Sequence, residues 1–548
     1  MRTLAIVNRN SRRLAGPLAA VLLLAVAACG GGASEGADDD RQVDAGPPQR
    51  GGSITVLEDE SFTGSYPSGL DPATNTTGGA NLAQMQAIYG GLFLLEADED
   101  GSNARIVPNQ AESYAFSDGG KTLTIKLRDG ITFSDGTPLD AEAVAWNFKR
   151  DVDSPCTCAP TQWILAEKDP ITTPDELTVR LRFAQPNNAA VISSFPASNV
   201  NWIASPTAMD KMGLDEFKMK PVGAGPFTVV TNELSSKLVL KRNPDYFKKG
   251  LPYLDGLTFS SIGGDQPAYQ ALLTGEAHAY EGMATTPLIT KAQSSDDLSV
   301  TIAPPTSPYV VQLNTFQPPF DDKLAREAIY RATDFEAITK GLFDGKYPVS
   351  QMFTGPGGLF HHEQVPGYPE YDLAKAKKLV KQMGGLEVHL GTLSSYTATQ
   401  VLTALRTQWE KAGIEVATDS YQLSKLIQEF NSGGWQAMLQ TAGAWDPAAG
   451  VGVSFRFSSR SPFTGVKEPK LDALFAKAAA EPDPNQRDDL YLEAAEHIAE
   501  QRYAPFGLAF AQANLAVKGV YGPGLTTKIP SIVVNSGVLW DRVWRAKE

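Results

Sequence analysis

The chain has 548 residues, with 48 Lys and Arg against 62 Asp and Glu and a net charge of −14. This acidic balance excludes a nucleic-acid binder, which needs clustered cations to face phosphate. The length exceeds the roughly 250–300 residues at which single cores stop growing, so at least two domains are expected.

At the N-terminus, Arg9, Arg12 and Arg13 precede an apolar run from Leu18 to Ala28, with no acidic residue before Glu35. This is the pattern of a secretory signal, and the run is shorter than the about 20 residues a permanent membrane span needs. Val26-Ala27-Ala28-Cys29 resembles the bacterial lipobox, which implies removal of residues 1–28 and a lipid anchor on Cys29. The removed part carries four arginines and no acid, which takes the net charge to −18. Residues 29–50 are rich in Gly, Asp and Pro and cannot bury enough surface to fold, so they read as a flexible tether.

Hydrophobic alternation predicts strands over Gly52–Leu57, over Lys121–Leu127 with Leu123, Ile125 and Leu127 on one face, and over Leu177–Phe183. Asp135-Gly136-Thr137-Pro138 reads as a turn, and Asp140 as the N-cap of a helix that carries Val144, Phe148 and Val152 inward. Cys156 and Cys158 follow, and their spacing leaves a local disulfide and free thiols both open. No CxxC or nearby histidine completes a zinc site there. Further on, Leu373–Met383 reads as a helix with Asp372 as cap and Gly384-Gly385 as stop. Strand Glu387–Leu393, helix Ala398–Lys411 and a strand over Ile414–Ala417 then form a βαβ unit. Helices over Lys470–Ala480 and Asn485–Tyr503 complete an α/β chain.

Several strings in fixed order carry a family resemblance: Leu70-Asp71-Pro72, a long run from Ile88 to Arg150, GAGPF at 223–227 and RNPDYF at 242–247, followed by LLTGEAHAY, LNTFQPPFDDKLAREAIYRATD and YDLAKAKKLV. Together they resemble the family 5 extracellular solute-binding proteins of ABC importers, over nearly all of the mature chain. The motifs are mostly turns and caps, and Arg326 and Asp334 resemble a salt-linked structural pair. The resemblance implies a two-lobed periplasmic-binding-protein-like fold (type II, cluster C-like) with a hinge. Lobe I would comprise 51–308, with an extra subdomain over about 88–205, and a return segment 521–548; lobe II would be 309–520. The proline-rich segment Ala303–Pro308 suits the first crossing between lobes.

Capture of a solute, most simply an oligopeptide or dipeptide, and delivery to an ABC permease follow from the resemblance, for an exported, membrane-tethered monomer without cofactor or metal. Thr76, Thr77, Gly78 and Gly79 after the LDP motif offer exposed backbone to an extended peptide. Tyr309 is placed near the hinge to stack on the ligand. In the second lobe Trp445 offers a flat wall and Asp446 an anionic partner, or else a turn start before Pro447. Peptide-binding relatives hold the ligand amine with an aspartate a few residues earlier, where this chain has Gly443 and Ala444. That departure also admits a nickel or other metal chelate, a sugar or a siderophore-like compound. His278 reads as a surface substitution and His361-His362 as two residues pointing apart rather than a metal site. An exported hydrolase is the competing class, but no GxSxG, HExxH or paired Cys and His is present.

Overall fold

The computed structural model describes residues 46–547 except 62, 63, 65, 78, 79, 157, 158, 161, 162, 197, 444, 450, 451 and 532–536. The predicted signal and Cys29 lie outside the described residues, as do Gly78, Gly79 and Cys158.

Two principal sheets organise the α/β fold. In the seven-stranded sheet the spatial order is Leu298–Ile302, Ala513–Val517, Ala279–Met283, Ser53–Asp59, Gly256–Ile262, Lys237–Arg242 and Phe227–Glu233. Ser53–Asp59 is central and runs parallel to both neighbours. Ile54 and Val56 face a core shared with the helix Leu82–Tyr89, while Leu57 faces a second core with Tyr280 and Leu515 on the other side. Burial on both faces is what parallel strands require.

The five-stranded sheet runs Glu415–Tyr421, Glu387–Leu393, Ala437–Thr441, Ser307–Leu313 and Phe506–Phe510. The predicted βαβ unit is present: Glu387–Leu393 and Glu415–Tyr421 pair in parallel, joined by helix Tyr396–Lys411. That helix buries Val401, Leu402, Leu405 and Trp409, and the Trp409 indole donates to Thr333 Oγ1 at 2.9 Å. Asp372 caps Leu373–Met383 through the Lys375 N–H at 2.9 Å, and Gly384 ends it in the left-handed conformation.

The chain passes between the sheets twice, through 303–306 and again through 511–512. The loop Gly355–Gly358 closes on the first crossing: the Gly355 N–H donates to the Thr306 carbonyl and the Gly357 N–H to the Pro305 carbonyl, both at 2.9 Å. A side chain on Gly355 would stand 2.5 Å from the Pro305 oxygen, so only glycine permits this approach.

A separate four-stranded antiparallel sheet, with Thr122–Leu127 and Thr178–Arg182 at its centre, encloses its own core with the helix Ala141–Asp151. Leu123, Ile125, Leu127, Val144 and Phe148 are buried in it as the alternation predicts. Asp140 accepts from the Ala143 N–H at 2.9 Å. The helix ends at Asp151, so Val152 packs only partly against this core. Arg150 reaches back to the LDP motif, making a bidentate pair with fully buried Asp71 at 3.1 and 3.0 Å. From this unit the Ala189 N–H and Asn188 Nδ2 donate to the carbonyls of Ala479 and Ala480 at the end of helix Pro469–Ala480.

Two side-chain expectations differ from what is found. Arg326 donates to the carbonyls of Phe320, Asp321 and Gln501, while Asp334 caps helix Phe335–Phe343, so each secures backbone independently. His278 is half-buried: its Nδ1 accepts from the Thr55 N–H at 3.1 Å and its Nε2 meets Arg545 at 3.0 Å, which ties strand Ser53–Asp59 to the C-terminal segment.

Candidate ligand-binding site

A cavity of about 400 Å³ opens between the two sheets. One wall is built from the C-terminal ends of the parallel strands of the seven-stranded sheet, contributing Asp59, Asp265, Glu281 and Gly282. Loops at such strand ends are where an open parallel sheet leaves a crevice for ligand. The opposite wall comes from the five-stranded sheet and its helices, with Thr397 from the start of helix Tyr396–Lys411, Leu426 and Phe430 from helix Leu423–Ser432, and Gln440. Phe455, Arg456 and Phe463 finish it. Tyr309, Phe510 and Gln512, beside the two crossings, close the back.

The second wall is an aromatic shelf holding one cation. Phe455 stacks on Phe463 at 4.4 Å between centroids, and Phe430 meets Phe463 edge-on at 5.6 Å. The Arg456 guanidinium lies 4.9 Å from the Phe455 ring and 5.7 Å from the Phe430 ring. Its Nη2 donates to the Thr441 carbonyl at 3.2 Å, whereas Nε has no partner and no carboxylate pairs with it among the described residues. Burial pushes its pKa down to about 9, because desolvation disfavours the charged form. The Thr397 hydroxyl and the Gln440 Nε2 beside it are likewise buried without a partner. This wall therefore presents unused hydrogen-bond donors, aided by the positive end of helix Tyr396–Lys411.

Polarity reverses across the cavity. The charged residues on the first wall are all carboxylates, and burial raises the Glu281 pKa to about 8. No group of three metal-binding side chains exists among the described residues. His361 Nδ1 instead sits 2.8 Å from the Thr354 carbonyl, and His362 pairs with Asp488 at 2.8 Å.

Of the residues singled out from sequence, Thr77 and Tyr309 line the cavity. Thr77 is held by the side chains of Asn75 and Asn81, at 3.1 and 3.0 Å, and Tyr309 is buried with its ring 6.0 Å from that of Phe510. Thr76 bonds to Ser68 and does not line the cavity. Trp445 and Asp446 are both buried away from it. Trp445 packs in the core beneath the seven-stranded sheet, and its carbonyl accepts from the Leu359 N–H at 2.7 Å. Asp446 starts a turn, its Oδ1 accepting from the Ala448 N–H at 2.7 Å, and burial raises its pKa to about 6. Gly443 does line the cavity, at φ +109°, with the Phe353 oxygen 2.3 Å from where a Cβ would stand. Cys156 is disulfide-bonded.

Arg456 and Glu281 were not found from sequence. The trace in the sequence is a charged residue inside a short apolar stretch, VSFRF in a helix and AYEGM in a strand, a pattern that a solvated position shares.

Comparison with known proteins agrees with this fold. The sequence model of the bacterial extracellular solute-binding proteins, family 5 Middle, matches residues 105–462. A glutathione-binding protein, GsiB, from Salmonella paratyphi A is 28% identical over 439 residues, covering 76% of this chain and 82% of the relative. Among solved structures, the periplasmic binding protein DppA from Helicobacter pylori in complex with the peptide STSA superimposes with a TM-score of 0.75 at 22% identity, over 91% of this chain and 99% of that one. A dipeptide-binding protein from Pseudoalteromonas sp. SM9913 in complex with Met-Leu gives 0.76 at 20% identity, over 90% and 100%. These relatives are solute-binding proteins, not enzymes. With two sheet-based lobes around an interlobe cavity, and a family match over most of its length, the chain belongs to the family 5 extracellular solute-binding proteins, the substrate-binding proteins of ABC importers.

Proposed function

We propose that this protein captures a short peptide with a free C-terminal carboxylate and delivers it to an ABC permease. The observation that carries this reading is Arg456, a buried cation without a counter-ion among the described residues, on an aromatic shelf inside the interlobe cavity. A carboxylate supplies the charge-assisted bonds this guanidinium lacks, and the phenylalanines suit an apolar side chain beside it. A cavity of about 400 Å³ suits a small guest rather than a long chain. Relatives that bind glutathione and short peptides fit the same class. In this reading crossings 303–306 and 511–512 act as the hinge and Ala513–Val517 belongs to the first lobe, which its pairing in the seven-stranded sheet supports.

Titration calorimetry with trialanine and glutathione is expected to show saturable binding, and C-terminal amidation of trialanine to abolish most of it. Saturable binding of a sugar or a nickel chelate with none of either peptide would replace this reading. The protein works tethered to the outer face of the membrane through a lipid on Cys29, which the lipobox-like sequence supports. Cys29→Ser is expected to move it from the membrane fraction to the soluble exported fraction; an unchanged distribution on fractionation would remove the anchor.

A further inference from the structure

The carboxylate wall carries an assignment of its own, which rests on the peptide reading above. Strands Ser53–Asp59 and Ala279–Met283 run parallel with Glu58 directly opposite Glu281. Both side chains therefore leave the sheet on one face, from strands about 4.8 Å apart. Each residue is 1% exposed. Two like charges at opposed positions repel, and burial adds a desolvation cost to each.

Their surroundings differ. Glu58 is tethered by Gln84 of helix Leu82–Tyr89, whose Nε2 donates to its Oε2. Among the described residues neither oxygen of Glu281 has a hydrogen-bond partner, and Glu281 is one of the residues that line the cavity. The strand is irregular at this point: pairing with Ala513–Val517 shifts register between Tyr280 and Met283, and Gly282 takes φ +93°. Bulges of this kind re-aim a side chain. The other groups on this wall are differently engaged or farther out. Asp265 accepts from the Tyr280 hydroxyl and the N–H groups of Ala284 and Thr285 at 2.7, 2.9 and 2.6 Å, and Asp59 accepts from the Ser61 N–H at 2.7 Å. Glu60 is exposed, and Gln512 is the neutral neighbour at the crossing. Among the described lining residues no cation faces Glu281 from its own side, Arg456 standing on the opposite wall.

We propose that Glu281, backed by Glu58, is the subsite that takes the protonated amine of the ligand. The guest then lies across the cavity with its amine on the seven-stranded-sheet wall and its carboxylate on Arg456. The amine anchor that Gly443 and Ala444 do not provide comes from the opposite wall. In the empty site Glu281 holds a proton near neutral pH; an ammonium beside it favours the carboxylate, so one proton leaves to the buffer as the guest binds.

Calorimetry of the mature protein at pH 7 with trialanine, N-acetyltrialanine and glutathione, in two buffers of different ionisation enthalpy, tests this. Expected are proton release with the free amines, at least a tenfold loss of affinity on acetylation, and loss of both effects in Glu281→Gln. Equal affinity for free and acetylated trialanine, or no proton release from the native protein, would overturn the subsite and leave the peptide reading standing. Those two arms need no variant, so a Glu281→Gln protein that failed to fold would not block the test. Failure of all three probes to bind would overturn the peptide reading and this assignment with it.

Discussion

Arg456→Met is expected to weaken trialanine binding about a hundredfold while leaving the empty protein at least as stable as wild type. The affinity change follows from removing a buried charge from a carboxylate that loses water on entering the cavity. Truncating one partner of such a pair costs about 2–5 kcal/mol, and about 2.7 kcal/mol is a hundredfold. Stability moves the other way because the empty protein holds this guanidinium among phenylalanines, with no counter-ion among the described residues. Even a complete buried ion pair can commonly be replaced by apolar residues of similar volume at no cost or with a gain of about 1–4 kcal/mol, and an unpaired charge has no Coulombic attraction to lose. Calorimetry and urea denaturation of the pair of proteins measure both; a large loss of stability with unchanged affinity would make Arg456 a structural residue.

Glu281→Gln has its largest effect on the pH dependence of stability. Burial holds the Glu281 pKa at about 8 in the folded protein, whereas in the unfolded chain it returns to about 4.3. Between these values the folded state binds more protons than the unfolded one, so stability falls as pH rises from about 4.5 to about 8 and levels off above. Glutamine resembles the protonated acid and does not titrate. The variant is therefore expected to match wild type near pH 5 and to exceed it near pH 8 by about 3 kcal/mol, a figure set by the pKa difference and discounted for coupling to Glu58. Urea titrations at the two pH values check this. Parallel pH profiles of the two proteins would place Glu281 in a solvated, ionised state and undo the argument. Saturating ligand is expected to narrow the gap at pH 8, since an ammonium supplies the charge the site lacks. Both substitutions improve the empty protein at the expense of its task, the pattern expected of residues kept for function.

Most of the elements legible in sequence had one wet face, the central strand Ser53–Asp59 being an exception. Thr122–Leu127 alternates, Ala141–Asp151 has a capped amphipathic pattern, and the βαβ unit around Tyr396–Lys411 has both. Ser307–Leu313 is buried at every position, so no alternation marks it, and only the proline-rich segment before it hinted at a crossing. At the site, Thr77 and Tyr309 were reachable because they adjoin recognisable punctuation, the LDP motif and the crossing. Glu281 was not, because its meaning depends on Glu58, more than two hundred residues earlier, standing opposite it in a parallel ladder. A lone Glu in AYEGM looks like a solvated residue until that pairing is known. Trp445 reads in the opposite sense: a flat aromatic before Asp-Pro suggested a ligand wall, yet its ring serves the core under the seven-stranded sheet.

The four-stranded unit has its own core, and among the described residues none between 81 and 262 contributes to the cavity wall. The cavity lining and this separate core thus come from different stretches of the chain. A substitution confined to that separate core, such as Val179→Ala, is therefore expected to lower stability while leaving the affinity for the guest unaltered, which urea denaturation and calorimetry of the one variant would check.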